Sequence, residues 1–84
     1  MDLLEEVKRI AREVWLDGPT APKDLELSPD TRFVEDMQVD SLAIIEMVIE
    51  AEASLDVTIP DGEYDDLRTL QDAVDYLERK LAEK

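Results

Sequence analysis

Cysteine and histidine are both absent from this chain of 84 residues. Without cysteine there is no disulfide and no thiolate metal site to staple a small fold; without histidine, the usual neutral-pH general base and the commonest nitrogen metal ligand are missing. Serine–histidine catalysis within the chain is therefore excluded, and no catalytic or metal-ligating residue is assigned. No apolar run approaches the roughly 18 residues of a membrane span, and Met1-Asp2-Leu3-Leu4-Glu5-Glu6 has neither the basic nor the apolar region of a secretory signal. The sequence reads as that of a soluble cytoplasmic protein with no membrane partner.

Positive charge is also scarce. Lys and Arg number 9 against 23 Asp and Glu, a formal net charge of −14. Between Arg32 and Arg68 there is no basic residue at all, while Glu35, Asp36, Asp40, Glu46, Glu50, Glu52, Asp56, Asp61, Glu63, Asp65 and Asp66 fall in that interval. Such a surface repels nucleic acid and anionic membranes and favours basic protein surfaces.

What remains is a single small domain over residues 1–84, able to bury only a little more than roughly 60% of its unfolded surface. Leu3, Leu4, Val7, Ile10, Ala11 and Val14 recur at helical spacing, so a first helix is predicted from about Asp2, its N-cap, to Leu16. Asp17-Gly18-Pro19 ends it, with Gly18 available for a left-handed turn. A long connection to Val39 follows, punctuated by Pro19, Pro22 and Pro29; Leu25, Leu27, Phe33 and Val34 are its expected anchors, with a turn near Ser28-Pro29-Asp30. Asp40 caps a second helix that starts at Ser41 and runs to about Leu55. One or two helical turns are expected over Glu63 to Leu67, weakened by Gly62, and Thr69-Leu70-Gln71-Asp72 reads as the capping box of a last helix.

At 100° per residue the second helix has two apolar faces. Ile44, Met47, Val48, Ala51 and Leu55 form a broad core sector, whereas Leu42, Ile45 and Ile49 form a second stripe bounded by Glu52 on one side and Glu46 on the other. That stripe either packs under the long connection or is a docking surface, apolar at its centre and acidic at its rim. Ser41 is equally open on these terms: it is either a helix-start residue beside a cap, or an addressable hydroxyl where the positive end of the helix dipole favours an attached phosphate.

The run Phe33-Val34-Glu35-Asp36-Met37-Gln38-Val39-Asp40-Ser41-Leu42 resembles the prosthetic-group attachment segment of acyl carrier proteins. The similarity continues through Glu46, Leu55-Asp56-Val57-Thr58-Ile59-Pro60-Asp61 and Asp72-Ala73-Val74-Asp75-Tyr76-Leu77, and reaches the first helix only as a pattern. The resemblance implies an all-α four-helix bundle, three main helices plus one short helix, with a long loop between helices 1 and 2. It implies a 4′-phosphopantetheine arm, moved from coenzyme A onto Ser41 by a phosphopantetheinyl transferase, that carries acyl groups as thioesters. The thiol that the chain itself lacks would come from that cofactor. Asp40, Leu42, Ile45, Glu46, Ile49 and Glu52 would contact partners, and Met47, Ala51, Leu55, Ile59, Leu67 and Tyr76 would line an interior for the acyl chain. The implied partners are acyltransferases, ketoacyl synthases and tailoring enzymes, met through basic patches by a monomer serving fatty-acid, specialised lipid or polyketide biosynthesis.

Three positions depart from the family pattern. Gln38 stands where many members have glycine, Ala43 replaces a common acidic residue and would thin the charge nearest the cofactor, and Gly62 replaces a better helix former, which predicts fast hydrogen exchange over Gly62 to Asp66. The competing readings are an acidic helical adaptor without prosthetic group, or a weak divalent-cation module built on Asp61, Glu63, Asp65 and Asp66, whose spacing does not match an EF-hand loop.

Overall fold

Asp2 starts the first helix, α1 (Leu3–Ala11), by accepting the backbone N–H groups of Leu4 and Glu5 at 3.0 and 3.4 Å. The computed structural model describes residues 2–18, 21 and 25–83. Val7, Ile10 and Ala11 are buried along one side of α1. The helix then loosens into a π-helical segment, Arg12–Leu16, closed by Asp17 N–H donating to Arg12 O at 2.9 Å. The predicted span is thus helical throughout, but its last turn is wider than an α-turn. Gly18 does not take the left-handed conformation: its N–H bonds Trp15 O at 2.9 Å, and Gly62 is the described glycine with positive φ. The expected roles of Pro19 and Pro22 lie outside the described residues.

The second helix, α2 (Ser41–Leu55), begins where Asp40 Oδ1 accepts the Ala43 N–H at 2.8 Å. It ends at Asp56, which turns left-handed at φ 55°. The third, α3 (Leu70–Ala82), opens on the predicted capping box, with Thr69 and Asp72 each accepting the other's backbone N–H. Between α2 and α3 lies a single 3-10 turn, Glu63–Asp66, entered through Gly62 at φ 91°. A Cβ there would meet nothing within 4 Å, so it is the backbone angle and not space that calls for glycine. The described chain is therefore helical, with three helices and one short turn in place of a fourth.

α1 packs against both α2 and α3. Their shared core takes Val7, Ile10 and Ala11 from α1, Ala43, Met47, Ala51 and Leu55 from α2, and Leu70, Ala73, Val74, Tyr76 and Leu77 from α3. The connection closes the end of this core with Leu27, Met37 and Val39; Met37 and Leu70 are wholly buried, each worth about 1.5–3 kcal/mol in apolar transfer. Leu25 and Phe33 pack on the core as expected. Val34 does not anchor anything: it is 61% exposed, because residues 33–36 form a tight turn that sends neighbouring side chains opposite ways.

Candidate functional site

The segment leading to Ser41 is held from two sides. Phe33 N–H bonds Arg68 O at 2.9 Å, Leu70 N–H bonds Thr31 O at 3.0 Å and Gln71 N–H bonds Pro29 O at 3.0 Å, which fasten residues 29–33 to the start of α3. The turn then closes on itself, Met37 N–H to Arg32 O at 3.0 Å and Val39 N–H to Phe33 O at 3.1 Å. Asp36 adds a carboxylate that accepts the Arg32 N–H at 2.8 Å; this backbone bond, followed by the Arg32 guanidinium, holds the Asp36 carboxyl below its ordinary range. From the opposite side the Trp15 indole, turned by the π-helical segment, donates to Met37 O at 2.6 Å. Gln38 completes the approach at φ 59°, a left-handed geometry that glycine adopts without strain and glutamine does not.

Ser41 is thereby presented at the first position of α2, exposed, with no hydrogen bond to its hydroxyl among the described residues. The Asp40 cap takes up the Ala43 N–H, and Ile44 N–H bonds Asp40 O, so the N–H groups of Ser41 and Leu42 have no partner among the described residues. Those are the unsatisfied donors of a helix N-terminus, where an anion on the Ser41 oxygen would be favoured. Beside the hydroxyl runs a surface groove of about 490 Å³, walled by Val34, Ile44, Ile45, Tyr64 and Leu67, with Glu35, Asp65 and Arg68 at its polar margin. Arg68 is the one basic side chain along it, and it forms no ion pair among the described residues. An exposed hydroxyl, free helix N–H groups, a cation and a groove open beside them fit a phosphodiester-linked arm.

Leu42, Ile45 and Ile49 line up on the outer face of α2 at 63%, 42% and 58% exposure. Glu46 is exposed with them. Glu52 is placed differently: its Oε2 accepts the Ile59 N–H at 2.9 Å, which spends that carboxylate on fixing the 57–60 loop. Ala43 points into the core and not toward the Ser41 hydroxyl, so its lack of charge is a packing property.

Met47, Ala51, Ile59, Leu67 and Tyr76 line an apolar cleft of about 70 Å³, completed by Phe33, Ala73, Leu77 and others; Leu55 is buried nearby without lining it. A water occupies about 30 Å³ of liquid, so the space admits only a few carbon-sized groups as it stands. Tyr76 also clamps the 3-10 turn. Its hydroxyl donates to Glu63 Oε1 at 2.5 Å, and Lys80 Nζ sits 3.2 Å from the same oxygen. These two partners, Tyr76 first, hold the Glu63 carboxyl below its usual range, while burial and then the Glu63 hydrogen bond push the Tyr76 phenol up. With Glu63 so engaged, Asp61, Glu63, Asp65 and Asp66 do not converge, and among the described residues no three acidic groups are placed to hold one metal ion.

Sequence reasoning missed the groove. Tyr64 and Arg68 carried no motif; the only available signal was Arg68 as the cation that ends the long acidic stretch.

The family described as phosphopantetheine attachment site matches residues 20–77. The chain is 35% identical over 79 residues to the acyl carrier protein of Helicobacter hepaticus, spanning 93% of this chain and 96% of that one. It belongs to the acyl carrier protein family. Two further relatives bear the same name: that of Thermobifida fusca, 37% identical over 54 residues (64% of this chain, 68% of that one), and that of Acidothermus cellulolyticus, 44% identical over 52 residues (62% of each). Membership implies a covalently attached 4′-phosphopantetheine. An acyl carrier protein is a carrier, which agrees with a chain that holds no histidine or cysteine. No helix among the described residues is long and apolar enough to cross a membrane.

Proposed function

We propose that this acyl carrier protein is loaded at Ser41 by a phosphopantetheinyl transferase and presents acyl groups to biosynthetic enzymes of fatty-acid, specialised lipid or polyketide type. The observation that carries the reading is the Ser41 hydroxyl itself: exposed, without a hydrogen-bond partner among the described residues, at the first position of α2, and inside the matched segment. When bound, the arm supplies a terminal thiol that holds acyl groups as thioesters. The protein's part is to position and to shelter. Asp40 fixes the start of α2, the N–H groups of Ser41 and Leu42 and the Arg68 guanidinium meet the phosphodiester charge, and the groove gives the arm a surface to lie on.

Recognition is assigned to the outer face of α2. Leu42, Ile45 and Ile49 supply the apolar centre, and Asp40, Glu46 and Glu52 belong to the acidic rim that basic patches on acyltransferases, ketoacyl synthases and tailoring enzymes read in a monomeric, cytoplasmic carrier. Glu52 contributes least, since its carboxylate is already engaged with Ile59. The space among Met47, Ala51, Ile59, Leu67 and Tyr76, next to Leu55, is the interior site for an acyl chain. Completed by the turn at Glu63–Asp66 as a short fourth element, the fold is a four-helix bundle in outline.

The test is intact mass after incubation with coenzyme A and a broad-specificity phosphopantetheinyl transferase. Wild type gains one arm and Ser41→Ala gains none. A gain that persists in Ser41→Ala places the arm elsewhere and overturns the assignment.

A further inference from the structure

Gln38 stands between two firmly held residues. Met37 is wholly buried and its N–H bonds Arg32 O at 3.0 Å; Val39 is buried and its N–H bonds Phe33 O at 3.1 Å. Gln38 itself is exposed, and no hydrogen bond of its side chain among the described residues offsets its left-handed φ of 59°. The Met37 carbonyl and the Gln38 N–H belong to one rigid peptide plane, so the direction of that carbonyl sets the φ of Gln38. Turning the plane over would bring φ to a negative value and relieve the residue. It would also point the carbonyl away from the Trp15 indole, which donates to it at 2.6 Å. The indole reaches that carbonyl from the end of the first helix because Asp17 N–H bonds five residues back, to Arg12 O: each residue of Arg12–Leu16 turns through less than an α-helical step, which re-aims Trp15 relative to the buried stripe of α1. One irregular turn thus selects a peptide orientation 22 residues later.

Accepting Ser41 as the attachment point, we infer that Trp15 is a positioning residue for loading: its indole N–H keeps the Met37–Gln38 peptide in the strained orientation and so holds residues 33–39 in the shape that leaves Ser41 open to the transferase. Val34 and Glu35 of that stretch line the groove beside Ser41, and an enzyme bringing coenzyme A to the hydroxyl crosses them. Loading forms the bond from Ser41 Oγ to phosphorus and breaks the phosphoanhydride of coenzyme A; adenosine 3′,5′-bisphosphate leaves, and the serine proton passes to a base of the transferase. Trp15 takes no part in that exchange and acts through the loop. Without its donor the plane turns over in a fraction of molecules. Only the remainder is competent, which raises the apparent KM for the carrier by the inverse of the competent fraction and leaves kcat unchanged.

The experiment follows initial rates of loading of the full chain by intact mass, with coenzyme A and a broad-specificity phosphopantetheinyl transferase. It compares wild type, Trp15→Phe, Gln38→Gly and the double variant. Trp15→Phe raises KM about fivefold, the size of one lost hydrogen bond, with kcat within about twofold. The backbone carbon shifts of Gln38, which report its φ, move away from left-handed values in the same variant. In the Gln38→Gly background, where positive φ carries no strain, the same change raises KM by less than about twofold. An equal rise in both backgrounds means that the indole acts by its bulk and overturns the role, as does no rise in either. Should Trp15→Phe not fold, β-(3-benzothienyl)alanine at position 15, which keeps the double ring and lacks the N–H, serves the same comparison. Loading that persists in Ser41→Ala, or a wild type that never loads, overturns the attachment reading; the Gln38 shifts still decide the hold on the peptide, and shifts that do not move in Trp15→Phe overturn it.

Discussion

At its C-terminal end α2 is tied down by a network of side-chain bonds, whereas its N-terminal end has the Asp40 cap and the packing of Ala43 and Ile44. Ser54 donates to Glu6 Oε1 at 2.7 Å and accepts from Arg9 at 3.1 Å, Arg9 pairs with Glu6 and with Glu13 at 2.7 Å and approaches Glu50 at 3.8 Å, and Glu52 secures the Ile59 N–H. Leu55 is buried beneath this network, while Leu42, one residue after Ser41, is 63% exposed. One helix thus differs by position: the end that knits α1 to α2 is built from mutual contacts, and the end that carries Ser41 leaves Leu42 and Ile45 exposed.

The sharpest way to break that contrast is the same substitution at both ends. Leu55→Ala should cost about 2–5 kcal/mol in denaturant unfolding, since it opens a cavity in the core. Leu42→Ala should stay within about 0.5 kcal/mol yet lower turnover by a cognate ketoacyl synthase at least about tenfold. Comparable destabilisation by both would dissolve the distinction. Next in size is Asp40→Ala, expected to cost about 1 kcal/mol through loss of the α2 cap. Gln38→Gly relieves the left-handed backbone ahead of Ser41 and should raise the unfolding free energy, by less than about 1 kcal/mol because glycine also loosens the unfolded chain. A fall instead would mean the Gln38 side chain contributes more than its backbone costs.

The smallest effect is acid sensitivity at the tied end. Glu6 is held below its ordinary value of 4.5, first by the Arg9 hydrogen bond and then by Ser54, and Glu63 is held below the same value by Tyr76 and Lys80. A carboxyl lowered in the folded state favours folding while ionised, so this contribution is full above about pH 4.5 and is lost as pH falls through the lowered values. Thermal midpoints measured from pH 6 to about 3 should fall for wild type, and Glu6→Gln should flatten part of that slope. Parallel curves would show that the Arg9 network adds nothing measurable.

Much of this division was legible in the residues. Asp2, Asp40 and Thr69 announce their helices because capping is a local interaction within three residues, and the azimuths of α2 separate Met47 from Ile49 by geometry alone. What escaped was set over distance. The π-helical turn at Arg12–Leu16 has no signature of its own, since it serves to bring Trp15 to a carbonyl 22 residues away. Val34 and Phe33 look alike as anchors until the turn at 33–36 sends one outward. Glu52 flanks the exposed stripe in projection, and only the folded loop shows its carboxylate turned to Ile59. The groove combined residues from three separate stretches, and no spacing rule joins Ser41 to Tyr64 and Arg68.

The Trp15 contact has a practical sequel. This is the only tryptophan in the chain, and its indole nitrogen rests on the carbonyl of Met37, directly ahead of the strained Gln38 and four residues from Ser41. Any event that shifts that loop changes the surroundings of the single indole chromophore, so the protein carries an intrinsic optical gauge of the segment that leads into α2, readable without an attached dye.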